Sequence, residues 1–190
     1  MDPRVSRVTP VTLTRRIVEL RPGLRWRSGR LATRILYGRA FGSIGSGTVI
    51  VRPHKLQGVE RIHLGSGCSV FERAWLASEP GGGDLRIGDR TYLGHDVHLH
   101  ALDPVTIGSD CVIADGVFVG SSDHDRDDRH RVHGTGEITI GDRVFLGQRC
   151  VVLGGVAIGD GATVGAHAVV TRDVAAGQTV VGIPARPVGA

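Results

Sequence analysis

A chain of 190 residues with 41% hydrophobic but only 4% aromatic content, and 29 glycines, can bury one sizeable core, and a narrow, layered one rather than a wide sandwich. The formal net charge of +4 hides an asymmetry, because residues 1–40 hold ten arginines against Asp2 and Glu19, a balance of +8 that leaves −4 for the rest. No stretch has the form of a signal peptide or reaches the length of a membrane span, so a cytoplasmic location is expected, and the arginines lack the aromatic interleaving of a nucleic-acid surface.

Residues 1–60 read as an N-terminal basic cap. Thr14 to Leu20 and Leu31 to Phe41 suit short helices, with Pro22 and Gly23 separating them. A repetitive domain needs such a cover over its exposed edge strands. The same arginines would also suit weak contact with an anionic membrane surface or a lipid-linked glycan.

From residue 61 to 190 another pattern rules. Aliphatic residues recur every sixth position, in triplets: Leu64, Val70, Leu76; Ile87, Leu93, Leu99; Ile107, Ile113, Val119; Ile140, Leu146, Val152; Ile158, Val164, Val170. Six matches neither helix nor free strand, but it is the signature of a parallel β-helix, in which three hexads make one turn of a triangular coil. The expected fold is all-β, a parallel β-helix of about five coils. The second hexad position is usually Gly or Ala, as at Gly88, Gly108 and Gly147, where a corner leaves no room for a side chain. Cys68, Cys111 and Cys150 all fall at the fifth position, which makes them small core fillers rather than disulfide partners.

Two segments interrupt the rhythm. Ser78 to Asp84 is a short glycine-rich turn, whereas residues 121–137 (SSDHDRDDRHRVHGTGE) form a long, charged excursion. A polar loop thrown out of a rigid scaffold is a usual place for chemistry.

The hexads, the excursion and the ending Val180-Val181-Gly182-Ile183-Pro184-Ala185-Arg186 together resemble the hexapeptide-repeat acyltransferases, closest to the sugar O-acetyltransferases of the galactoside, maltose and polysaccharide type. The resemblance covers about residues 64 to 188 and is most specific over residues 138–174. It implies a left-handed coil, a homotrimer with sites between subunits, acetyl-CoA as donor and a sugar or glycan acceptor. It also implies a catalytic histidine just past the third hexad of the coil before the loop, which is His124. A hydroxyl is a poor nucleophile at neutral pH, and a base of pKa near 7 can take its proton as it attacks a thioester. Asp123 and Asp125 flank that base and are candidates to orient it.

Matched to the family motif, Gln148, Ala166, Thr171, Arg172 and Arg186 are the expected CoA contacts, the two arginines as phosphate partners. His95 and Asp96 fall where related enzymes touch a sugar, although the sugar-binding Asn of the galactoside type is Gly94 here. A tryptophan common in the strand after the loop is replaced by Phe145.

Two other readings compete. Gly94-His95 with His100 resembles the paired histidines of the γ-class carbonic anhydrases, but the nearest upstream third ligand, His63, is out of phase, and a catalytic zinc needs three protein ligands; no metal is therefore expected. A non-catalytic hexapeptide-repeat trimer would leave His124 without a purpose.

Overall fold

The computed structural model describes residues 13–188, and in it the chain winds through six coils of a triangular prism. The first coil contains β1 (Ser43–Ile44), β2 (Val49–Ile50) and β3 (Lys55–Gln57), and the second β4 (Ile62–Leu64), β5 (Ser69–Val70) and β6 (Trp75–Ser78). The third has β7 (Leu85–Ile87), β8 (Tyr92–Leu93) and β9 (His98–Ala101), and the fourth β10 (Val105–Ile107), β11 (Val112–Ile113) and β12 (Phe118–Gly120). A hairpin, β13 (Ser122–His124) and β14 (Val132–Gly134), then leaves the prism.

The fifth coil follows with β15 (Ile138–Ile140), β16 (Phe145–Leu146) and β17 (Val151–Leu153), and the sixth with β18 (Ala157–Ile158), β19 (Thr163–Val164) and β20 (Val169–Val170). Strands β21 (Thr179–Val181) and β22 (Arg186–Pro187) extend the second sheet. The three faces are parallel sheets in strict register: Leu64, Ile87, Ile107 and Ile140 line up on the first, Val70, Leu93, Ile113 and Leu146 on the second, Leu76, Leu99, Val119 and Val152 on the third.

The prism starts one coil earlier than residue 61. Ile44, Ile50 and Leu56 pair with Leu64, Val70 and Leu76, so residues 43–57, counted with the cap in the sequence reading, are a sixth coil. Its triplet keeps the six-residue spacing, but polar and charged neighbours around Leu56 mask it. The corner chemistry also differs from expectation. The left-handed backbone falls at the fourth hexad position, as at Arg90 (φ 54°), Asp110 (φ 57°) and Arg143 (φ 55°), while the second-position glycine is needed because the next coil presses on it: a Cβ on Gly88 would stand 2.6 Å from the carbonyl carbon of Gly108. The three cysteines are buried and unpaired, as their phase predicts, and burial pushes the Cys150 thiol up to about 12.

The first twelve residues of the expected cap lie outside the described residues. The described part is a single helix, α1 (Leu13–Ala32), running through Pro22 and Gly23 and continuing as a π-helical turn over Thr33–Tyr37. Its second half is held by the first coils, which overrides the break that Pro22 suggests. Thr33, buried, accepts a hydrogen bond from the Ile50 N–H (2.9 Å) and donates to the Gly29 carbonyl (2.8 Å), Trp26 lies against Phe71, and Arg25 pairs with Glu72. The Ile50 N–H, on the open edge of β2, is thereby satisfied from above.

Candidate active site

The outward positions of the third sheet form a ladder down the prism: Lys55, Trp75, His98, Phe118, Val151, Val169. Strand stacking forces these side chains into contact. The rings of Trp75 and His98 stack with centroids 4.1 Å apart and planes 12° off parallel, Phe118 meets His98 edge-on at 5.0 Å, and the Lys55 ammonium sits 4.6 Å from the Trp75 ring centre. Burial holds the His98 imidazole down at about 4, and the neighbouring His100 and Lys55 charges push the same way, so this ring is neutral at physiological pH.

One residue pair along, His100 stands between Glu79 and Ser122. Its Nε2 is 2.8 Å from Glu79 Oε1 and its Nδ1 2.8 Å from Ser122 Oγ, while Glu79 Oε2 accepts from Gln57 Nε2 at 3.1 Å. Because a carboxylate can only accept, Nε2–H donates to Glu79; Nδ1 accepts the Ser122 hydroxyl when the ring is neutral and donates to Ser122 Oγ when it is charged.

The hairpin of β13 and β14 folds over this surface. Its root is fixed by Ser121, fully buried, whose Oγ donates to the Asp103 carbonyl (2.6 Å) and accepts from Leu102 N–H (3.1 Å), and by the Asp103 carboxylate, which accepts from Gly136 N–H (2.7 Å). Between hairpin and sheet lies a cavity of about 750 Å³. Trp75, Glu79, His98, His100 and Phe118 form one wall, Ser122, Asp123, His124, Val132 and Thr135 the other, and Leu153, Gly154 and Thr171 the floor. His124 Nδ1 is 2.8 Å from the Arg129 carbonyl oxygen. A carbonyl only accepts, so Nδ1 carries the proton, and in the neutral ring the lone pair is on Nε2.

The flanking carboxylates serve the hairpin backbone. Asp123 accepts from the His124 N–H (2.7 Å), and Asp125 from the N–H groups of Asp127 (2.8 Å) and Asp128 (3.1 Å), which pull its carboxyl below the usual carboxylate range. The ring of His124 is oriented by a main-chain carbonyl, a partner that residue types alone do not reveal. Asp123 nevertheless lines the cavity.

Of the expected donor residues, Thr171 is in this cavity and Arg172 follows it at the exposed corner. Gln148 occupies a separate hollow, at the corner between the second and third sheets, with Arg73, His95, Asp96, Asp115 and Arg149. Ala166 belongs to the corner one coil on, where the His167 N–H donates to the Gln148 carbonyl (2.9 Å). Arg186 is exposed on β22, its guanidinium bonded to the Ala185 carbonyl.

His95 and Asp96 are likewise in the corner hollow and outside the lining of the His124 cavity. His95 pairs with Glu72 (3.0 Å) and Asp96 with the Arg73 guanidinium (2.6 Å), which lowers the Asp96 pKa. Glu79, His98 and His100, which do face the cavity, are not among the positions matched to the family motif; their signal is their phase, since His98 and His100 flank the inward Leu99. The three histidines of the metal reading do not converge, because His63 is on β4 in the first sheet bonded to Ser43, His95 is at a corner and His100 is on the third sheet. Phe145 is on β16 and pairs with Val112 and Thr163 on the second sheet.

Two stretches of the prism match family models: residues 137–172 match the bacterial transferase hexapeptide (six repeats), and residues 84–121 the hexapeptide repeat of succinyl-transferase. Both stretches therefore carry the six-residue repeat described by these transferase models. Among curated relatives, the putative colanic acid biosynthesis acetyltransferase WcaF of Escherichia coli K12 is 35% identical over 101 residues, 53% of this chain and 56% of that protein. The galactoside O-acetyltransferase of the same organism is 30% identical over 128 residues, 62% of this chain and 61% of its own length. This chain thus spans less than two thirds of these relatives. The same fold is found in a point mutant of AntD, an N-acyltransferase from Bacillus cereus, in complex with dTDP-4-amino-4,6-dideoxyglucose and coenzyme A (TM-score 0.74, 19% identity, 83% of this chain and 88% of that one).

Proposed function

We propose that the protein is an acetyl-CoA-dependent O-acetyltransferase acting on a sugar or glycan precursor, with His124 as general base. The observation that carries this reading is the His124–Arg129 hydrogen bond, which leaves the basic Nε2 free on a ring that lines the large cavity formed by hairpin and sheet. In the reaction an acceptor hydroxyl attacks the thioester carbonyl as Nε2 takes its proton; the C–S bond then breaks, and the thiolate leaves with the proton returned from the imidazolium. Glu79, His100 and the Trp75–His98–Phe118 wall supply hydrogen-bonding and apolar surface for a sugar ring. Thr171, Arg172, Gln148, Ala166 and Arg186 border the lower coils, where the donor would bind.

The sugar acceptor is supported by relatives named for colanic acid and galactosides, and the CoA donor by the AntD complexes. A homotrimer is part of the same proposal: Val112 and Phe145, cross-strand neighbours on the second sheet, leave 41% and 43% of their surface exposed, a flat apolar patch suited to another copy. His124→Ala is expected to lower acetyl transfer roughly 10²- to 10⁴-fold, measured as thiol release with a panel of sugars, without altering the oligomer. Near-normal turnover in that variant would remove His124 as the base.

A further inference from the structure

The cap helix has two apolar faces. One, made by Trp26, Gly29, Thr33 and Tyr37, is against the first two coils: a Cβ on Gly29 would stand 2.8 Å from the Ile50 carbonyl oxygen, Thr33 bonds the Ile50 N–H, and Trp26 meets Phe71. At 100° per residue, Leu24, Leu31 and Ile35 fall on the opposite side. They are 59%, 59% and 58% exposed, so the ridge they form is open to solvent along its length. Arg27 and Arg34 run beside that ridge, with Arg30 next to them, all exposed. Arg25 is held by Glu72. Among the described residues no carboxylate pairs with Arg27, Arg30 or Arg34.

We propose that this outer face docks the protein on an anionic lipid bilayer, with Leu24, Leu31 and Ile35 at the acyl boundary and Arg27, Arg30 and Arg34 among the headgroups. An apolar ridge bordered by unpaired cations is the pattern of a helix that lies in the interfacial plane. A second copy of the chain is the poorer occupant, because apposing two such ridges would bring one row of arginines against another. No helix among the described residues is long and apolar enough to cross a membrane, and the docked face runs along the helix rather than through the bilayer. The docking also gives the arginine excess of the first forty residues a physical use that capping alone does not require. Helix and prism are held together by the buried Thr33 contacts, so docking would fix the whole prism on the surface, with the cavity wall beginning at Trp75 on the second coil.

The test is sedimentation of the full chain with phosphatidylcholine vesicles and with vesicles containing one third phosphatidylglycerol. Binding is expected to the anionic vesicles at low salt, to weaken as salt is raised, and to fall about fivefold for each of Arg27→Gln and Arg34→Gln. The triple variant Leu24→Ser, Leu31→Ser, Ile35→Ser, checked for its fold by circular dichroism, should lose at least about tenfold. Failure of the full chain to bind anionic vesicles, or unchanged binding by the folded triple variant, would overturn the proposal. Dissociation of a larger oligomer by the triple variant, without vesicle binding by the parent, would instead assign the ridge to a second copy. None of these outcomes depends on acetyl transfer.

Discussion

The His100 imidazole stands 2.8 Å from Glu79 Oε1 and passes that connection to Ser122 through its other nitrogen. Ser122 opens the strand that carries His124, so the contact ties the third sheet to the hairpin two residues from the proposed base. Replacing His100 by Phe keeps a ring of similar size but removes both hydrogen bonds. Because a displacement of about 1 Å at a reacting group can cost up to about 10²-fold, turnover is expected to drop about 10- to 100-fold. The prism core lies on the inner side of Leu99, so the thermal midpoint should shift by only a few degrees. Steady-state kinetics with a melting curve on the same sample checks both parts.

His98 makes stability depend on pH. Its folded pKa is about 4, below the ordinary 6.5, because burial beside Trp75 and Phe118 disfavours the charged ring. Between those two values the unfolded chain binds the extra proton. Stability is therefore fully present above about pH 6.5 and is lost as the pH falls toward 4. The full linkage, discounted for the solvent that reaches part of the ring, is on the order of 2 kcal/mol. Urea unfolding at a series of pH values should show this decline, and His98→Phe should flatten it while keeping the stack on Trp75.

The prism was readable because its repeat is enforced by packing: each coil must put an aliphatic residue into the same narrow interior, so Leu64, Ile87 and Ile107 declare their phase without knowledge of any other contact. Residues 43–57 obey the same rule, but the polar and charged residues around Leu56 obscure it. The site was legible to a lesser depth. His124 is marked by where the repeat stops, but its orienting partner is the main-chain carbonyl of Arg129, and a carbonyl has no residue type to read. His95 and Asp96 match the family's sugar-contact positions in sequence, yet the corner at Asp96 turns them toward Glu72 and Arg73. Glu79, His100 and Ser122 meet only because three coils stack, across about twenty residues at each step, which no local pattern encodes.

The cap is the remaining point at which one side chain has an outsized effect. Thr33 Oγ1 is the acceptor for the Ile50 N–H, a buried edge group that would otherwise face the helix without a partner. Thr33→Val has nearly the same shape but offers only a methyl group there. An unsatisfied buried donor costs about 1–3 kcal/mol, so the variant should unfold at lower denaturant concentration by that amount. Thr33→Ser, which keeps the hydroxyl, should recover most of the loss. Hydrogen exchange locates the effect: the amide of Ile50 is expected to lose protection in Thr33→Val, while amides in the fourth and fifth coils keep theirs, because the cap meets only the first turns of the prism. Equal loss of protection throughout would mean that cap and prism unfold as a single unit.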